Sequence, residues 1–160
     1  YEGTPAEIMR ILVANNIALK LLSETTNIRH FTFMTTLYIQ GIKNLSAITR
    51  SALSIIKEDG SSLLCEIFRR SDKNDKDQDK YERYMKDKIR QYFSLVQRED
   101  FIEHNSQNLK TIPKLAIVAE DPAHKEELQK MLTPIIKMLR VDERAEVVFV
   151  TEHELDTGTI

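Results

Sequence analysis

The chain has 160 residues, which is enough for one ordinary domain with a single hydrophobic core. Hydrophobic residues make up 41% and charged residues 30%, values near the globular average that exclude a wholly disordered chain and a membrane protein. The net charge of −2 argues against general nucleic-acid affinity. The single cysteine excludes an intrachain disulfide, and we therefore expect a cytoplasmic location.

The N-terminal segment predicts a helix. Thr4 is a suitable N-cap, Pro5 suits the first helical position, and Glu7 can close a capping box. Apolar residues then occupy nearly every side of the helix, so we expect it to be buried on most sides. The apolar stretch 8–22 is short and includes four polar residues, which excludes a membrane span. The apolar positions are Ile8, Ile11, Leu12, Val13, Ile17, Leu19, Leu21 and Leu22.

Residues 30–68 are interpreted as three further helical segments. Residues 30–39 are rich in aromatic and β-branched side chains, which favours a strand, but we predict a helix from the surrounding pattern. A second helix is predicted from Asn44 or Ser46 to Gly60, with the glycine as its C-cap residue. A third carries the apolar residues of 63–68, where Cys65 is expected to be a core residue rather than a nucleophile.

Composition changes sharply at residue 69. Fifteen of the 22 residues in 69–90 are charged, and 71–79 has no apolar residue, which indicates an exposed connection. The sequence favours a solvated charged loop over a calcium loop there, since cations occupy the required glycine and closing glutamate positions. From 81 to 99 the apolar spacing predicts a long amphipathic helix that acts as a contact element. Its predicted interaction surface comprises Tyr81, Arg83, Tyr84 and Lys88.

Nucleic-acid binding is an alternative for this charged region, because basic residues could pair with phosphates and the interleaved tyrosines could stack on bases. The nine basic residues of 69–90 are mixed with six acidic ones, which leaves three excess positive charges. A surface held by ion pairs is therefore the preferred interpretation.

The C-terminal part predicts a β-α-β unit. Residues 115–119 suit a buried strand, Asp121 and Pro122 begin a helix, and 147–150 form a second strand. Pro134 falls inside the helical stripe, so the helix either kinks there or restarts. Strand, helix and strand over this length imply a parallel pair, which needs further strands to form a stable sheet. The sequence begins at Tyr1 rather than methionine, and we expect it to be part of a larger protein.

The carboxyl ends of parallel strands lie on one edge, where open α/β sheets usually bind ligands. Acidic and imidazole side chains follow both predicted strands, and such groups can hold a divalent metal or transfer protons. The alternative is structural, because Asp121 already serves as a helix cap. The tentative metal-site residues are Glu120, Asp121, His124, Glu152 and His153.

These patterns predict a helix-rich α/β or α+β fold. Residues 1–112 are expected to form a helical region of four to five helices, with a charged connection at 71–79, and 113–160 a β-α-β unit of a larger sheet. The predicted function is a non-catalytic regulatory or assembly module of a larger cytoplasmic protein, with a protein partner or homo-oligomer and no membrane. The alternative is a fragment of a nucleic-acid-processing enzyme, dependent on nucleotide or metal, whose catalytic motifs lie outside this chain. No cofactor is predicted, a divalent metal being the alternative.

Overall fold

The computed structural model describes residues 5–24, 28–36, 50–70, 78–104 and 110–154. Within these ranges the chain forms four helices and five strands. In chain order they are α1 (Pro5–Glu24), β1 (Ile28–Thr36), β2 (Arg50–Lys57), β3 (Ser62–Ile67), α2 (Gln78–Val96), α3 (Phe101–His104), β4 (Lys114–Ala119), α4 (Pro122–Leu139) and β5 (Val147–Thr151).

The strands of the described ranges form one mixed sheet in the order β1-β2-β3-β4-β5. The first three strands pair antiparallel, whereas β3, β4 and β5 pair parallel. The mixed α/β class and the predicted parallel pair are therefore confirmed. Because β3 hydrogen-bonds to β4, the sheet continues across the predicted boundary between residues 112 and 113.

The helices predicted between residues 30 and 68 are wrong, since 28–36, 50–57 and 62–67 are strands. Aromatic and β-branched side chains pack well on a pleated surface, and here this preference prevails. The position of Gly60 also differs from the prediction. Gly60 lies in the β2–β3 turn with φ +85°, where its N–H donates to the Lys57 carbonyl at 3.0 Å. Residues 37–49, which include the predicted caps Asn44 and Ser46, lie outside the described residues.

One face of the sheet is covered by α2 and α4, which pack together over the larger core cluster. The predicted amphipathic helix is confirmed as α2, and its buried stripe comprises Tyr81, Met85, Ile89, Tyr92, Phe93 and Val96. The Tyr92 hydroxyl donates a hydrogen bond of 2.7 Å to the Pro113 carbonyl, just before β4. Asp121 caps α4 as predicted, and the helix continues through Pro134 to Leu139 without a restart.

The opposite face is covered by α1, whose inner side packs on β2, β3 and the α1-facing residues of β4 and β5. The prediction that this helix is buried on most sides is wrong. Among the side chains of α1 that the structure describes (8–21), the buried ones lie on one side and are Val13, Ala14, Ile17, Ala18 and Leu21. Side chains on the outer side, including Leu12 and Leu19, are exposed.

Residues 71–77 of the charged connection lie outside the described residues. Among the described helices, none has both the length and the apolar character needed to cross a membrane.

Candidate functional site

Three parallel strands end at the edge that the sequence marks as a candidate site. Arg69 and Arg70 follow β3, Glu120 and Asp121 follow β4, and Glu152 follows β5. The two arginines were not part of the predicted site. They lie at this edge because residues 62–67 are a strand beside β4, not a helix.

Arg69, which follows β3, joins the ends of β4 and β5. Its Nε lies 3.0 Å from Glu120 Oε1, and its Nη1 donates to the carboxylate of Glu152. All three side chains are largely covered. Burial raises the pKa of Glu152, and the positive charge of Arg69 opposes that rise. Arg69 therefore places one cation between two partly buried carboxylates.

Arg70 binds the start of α4. Its Nη2 donates to Asp121 Oδ1 at 2.8 Å, and its backbone N–H donates to Glu120 Oε1 at 3.0 Å. The hydrogen bond from Arg70 and the N-cap bond from the backbone of His124 hold the pKa of Asp121 far below its usual range. Asp121 is thus an ionised helix cap paired with a cation, which is the structural alternative named from the sequence.

His124 points into the protein. It is fully buried, its Nδ1 accepts the Glu120 N–H at 3.1 Å, and its Nε2 lies 3.4 Å from the Tyr81 hydroxyl. Since Nδ1 accepts a hydrogen bond, a neutral ring carries its proton on Nε2. Burial lowers the pKa of His124, which favours this neutral form. The imidazole therefore contributes packing and hydrogen bonds at the β4–α4 junction.

The structure brings Glu120, Asp121 and Glu152 to one edge, as predicted, but each carboxylate faces an arginine. The side chain of His153 is exposed, and its carbonyl accepts a hydrogen bond from Lys20 Nζ at 3.1 Å. No group of three or more acidic, histidine or cysteine side chains within the described ranges is arranged to hold a metal ion. The chemistry that this edge shows is ion pairing that joins three strand ends.

A small cleft lies beside this edge, between α1 and the end of β5. It encloses about 250 Å³ over a floor that contains the buried Val13 and Ile17. Its two charged side chains other than histidine already have protein partners, since Lys20 binds the His153 carbonyl and Glu152 binds Arg69. The lining residues are Val13, Asn16, Ile17, Lys20, Glu152 and His153.

Glu66, in the middle of β3, was not selected from the sequence. It is 4% exposed, shares the α2-facing side of β3 with Leu64 and Phe68, and its Oε1 has no hydrogen-bond partner in the described structure. Lys88 Nζ lies 4.0 Å from that oxygen. The available signal was a lone glutamate inside the apolar run 63–68, since glutamate is almost never fully buried without a partner.

Two cations from opposite sides of the sheet approach Glu66. Lys88 belongs to α2, and Arg10 of α1 reaches the carboxyl end of β3, where its Nε donates to the Ile67 carbonyl at 3.1 Å. Arg10 Cζ and Lys88 Nζ lie 6.0 and 5.9 Å from the ring centroid of Tyr84. Burial raises the pKa of Glu66 to about 7, and Lys88 and Arg10 limit the rise. Near neutral pH this carboxyl group can exchange a proton.

The predicted interaction surface on α2 is only partly on the surface. Tyr81 is 4% exposed and belongs to the core, which corrects its assignment as a contact residue. Lys88 is mostly covered, whereas Tyr84 is 40% exposed and Arg83 lies on the charged outer side. A shallow cleft of about 370 Å³ on that side is lined by three acidic and three basic residues: Asp79, Glu82, Arg83, Lys86, Asp87 and Arg90. This balance does not favour a nucleic-acid surface.

The outer side of α1 carries apolar residues at regular spacing. Ile8 is 41% exposed, Leu12 is 49% exposed and Leu19 is 65% exposed, with the exposed Asn15 between the last two. The steps of four, three and four residues place these four side chains in one line along the helix. We call Ile8, Leu12, Asn15 and Leu19 the α1 stripe. This spacing was present in the sequence, but the prediction grouped these residues with the apolar residues of the buried side as one buried surface.

No protein-family model, no curated protein and no solved structure matches this chain.

Proposed function

We propose that the chain is a non-catalytic assembly module of a larger cytoplasmic protein, and that it binds another protein chain through the α1 stripe. The observation that carries the proposal is the exposure of three large aliphatic side chains in line on one helix. Single exposed apolar residues are ordinary, but a contiguous apolar patch on a folded domain is typical of an interaction site.

The buried side of α1 explains why the stripe is not simply part of the core. Ala14, Ile17 and Leu21 already fill the contact with the sheet on the opposite side of the helix. An amphipathic surface helix needs only that one apolar side, so the second apolar side adds nothing to the described core. Burying it against a partner would remove it from water and stabilise the complex.

We therefore propose α1, instead of α2, as the contact element. The inner side of α2 is used by the core, and its outer side is charged with both signs. Exposed charged surfaces of this kind contribute little binding energy compared with apolar residues that become fully desolvated.

The test is site-specific photocrosslinking of the full chain in the cells that produce it. A benzophenone amino acid is placed at Leu12, and in a control chain at Lys130, whose side chain is 80% exposed on α4. We expect a covalent protein adduct from position 12 and much less from position 130. Absence of an adduct at position 12, or equal adducts at both positions, would overturn the proposal.

The second candidate is the enzyme fragment, and Glu66 is the specific observation in its favour. A buried carboxyl group with an unpartnered oxygen, a raised pKa and a lysine 4.0 Å away is an arrangement that occurs at functional sites. In such an enzyme Glu66 would act on a proton or a divalent metal, and Lys88 would stabilise negative charge that develops on a phosphate. Further catalytic groups would come from outside this chain.

This candidate is tested by incubating the chain with single-stranded and double-stranded DNA and RNA in the presence of Mg²⁺ or Mn²⁺. Cleavage that is lost in both Glu66→Gln and Lys88→Met, and retained in the control Glu126→Gln on the exposed side of α4, would support it. Cleavage that survives in Glu66→Gln would assign the activity to a contaminant or to another site.

A further inference from the structure

We propose that the partner of the α1 stripe is the α1 stripe of a second copy of this chain, packed antiparallel about Asn15. This inference rests on the proposed function and adds the identity of the partner. The chain would then form a two-fold symmetric dimer in which the same patch of both copies is used.

The spacing of the stripe is nearly symmetric about Asn15. Leu12 lies three residues before Asn15 and Leu19 lies four residues after it. With a two-fold axis at Asn15 the two Asn15 amides face each other, and Leu19 of the partner lies about 1.5 Å along the helix axis from the level of Leu12, close enough for the two side chains to pack. An amide has both donors and acceptors, so this pair can form reciprocal hydrogen bonds. A single asparagine in an apolar helix seam is a known means of fixing register.

Charge favours a neutral partner such as the stripe itself. The two basic residues in the described side chains of α1 are both turned to the body of the protein. Arg10 Nε binds the Ile67 carbonyl, and Lys20 Nζ binds the His153 carbonyl, each at 3.1 Å. The stripe itself is uncharged, so two copies can approach without like-charge repulsion between their stripes.

The size of the patch sets the expected strength. Met9, which is 39% exposed, lies beside the stripe, and together they form an apolar patch on the order of a few hundred Å². A standard stable interface buries about 800 Å² per partner, so the stripe alone supports a weak and reversible dimer. The stripe spans about 16 Å of α1, which is a short helix face and agrees with an interface of this small area.

Sedimentation velocity of the purified full chain over concentrations from micromolar to near millimolar tests the dimer. The variant L12Q/L19Q replaces two of the three aliphatic residues of the stripe, and the control M138Q/V141Q replaces two apolar side chains near the end of α4 that are even more exposed. We expect a dimer whose dissociation constant rises at least tenfold in L12Q/L19Q and stays within twofold of the parent in the control. A monomer at every concentration, or a dimer lost only in the control, would overturn the proposal.

Disulfide trapping tests the register. In N15C the new thiols meet at the proposed axis, and the native Cys65 is fully buried and does not interfere. We expect rapid oxidation of N15C to a covalent dimer and slow oxidation of K130C, which places a thiol on exposed α4. Equal rates for the two variants would exclude the antiparallel register.

The two proposals fail in different ways. If the crosslinker at position 12 captures only a different protein and the purified chain stays monomeric, the second copy is excluded while the assembly function remains. If position 12 yields no protein adduct at all, both are excluded.

Discussion

Lys88 Nζ lies 4.0 Å from Oε1 of Glu66, which places a lysine from α2 beside a carboxyl group buried in the middle of the sheet. That distance is at the limit of an ion pair and is too long for a hydrogen bond. Desolvation of Glu66 is therefore only partly offset, and its pKa is raised to about 7 from an ordinary value of 4.5.

The first prediction concerns the pH dependence of stability. A group whose pKa is higher in the folded state contributes stability that is complete below pH 4.5 and is lost as pH rises to about 7. In Glu66→Gln the side chain stays neutral at every pH. The difference in free energy of unfolding between this variant and the parent should therefore shift in favour of the variant as pH rises. We expect a relative gain of up to about 3 kcal/mol between pH 5 and pH 8, measured by urea unfolding.

The control for Glu66 is Glu126→Gln, which changes an exposed glutamate on α4. Its stability difference from the parent should stay constant over the same pH range. A constant difference for Glu66→Gln as well would show that the buried carboxyl group does not titrate differently on unfolding.

The second prediction concerns Arg69, which lies between Glu120 and Glu152. Arg69→Met leaves these partly buried carboxylates without their shared cation and should lower the free energy of unfolding by about 1–3 kcal/mol at pH 8. The pKa of Glu152 is already raised by burial and should rise further without the arginine. Protonation then relieves the repulsion, so the loss should be smaller at pH 5 than at pH 8.

For comparison, Arg144→Met breaks the pair with Asp142 in the turn before β5, where the arginine is 76% exposed. Its cost should remain below about 1 kcal/mol. An Arg69→Met loss that is no larger, or that does not change with pH, would contradict the role of Arg69 at the strand ends.

Thermal shifts with Mn²⁺ on the same variants test the metal alternative. Binding of Mn²⁺ that appears only without Arg69 would show that the arginine occupies the place of a cation.

The third prediction concerns Gly60. Its φ of +85° is strained for any residue with a Cβ, and a Cβ at this position would meet the side chain of Lys110 at 2.5 Å. Gly60→Ala should therefore cost at least about 1 kcal/mol in thermal or urea unfolding. Repeating the substitution in a Lys110→Ala background removes the contacts with Cγ and Cδ of Lys110 but keeps the backbone strain and the 2.9 Å contact with its Cβ, so the difference between the two backgrounds measures the cost of the removed contacts. A cost near zero in the parent background would rule out the strain.

The fourth prediction concerns the hydroxyl of Tyr92, which donates to the Pro113 carbonyl. Tyr92→Phe keeps the packing of the ring but removes the donor, and we expect a loss of about 1–2 kcal/mol. Tyr84→Phe is the matched change at a partly exposed position of the same helix, where water can replace the hydroxyl's partners, and its cost should be smaller. Equal costs for the two tyrosines would contradict a structural role for the Tyr92 hydroxyl.

Helices with a single apolar stripe and clear end signals were predictable from the sequence. In α4, Asp121 and Pro122 mark the first turn, and in α2 the apolar spacing from Tyr81 onward leaves only one buried side. These signals are local, so they do not depend on knowing what packs against the helix.

The strand β3 was not predictable from periodicity. Because both sides of this strand are covered, its residues are buried without alternation, and Leu63, Leu64 and Ile67 also fit a helical spacing. The error also hid part of the candidate site. A helix at 63–68 gives no reason to place Arg69 and Arg70 beside Glu120, whereas a strand paired with β4 does so directly.

The order of strands in the sheet is the same as their order along the chain. Each strand can therefore dock on a neighbour that has already left the ribosome, and no strand must wait for a distant one. We expect the β1–β2–β3 meander to form during synthesis on the inner side of α1, with β5 added last. On this schedule the exposed side of α1 would already be accessible to a partner while the rest of the chain is still being made.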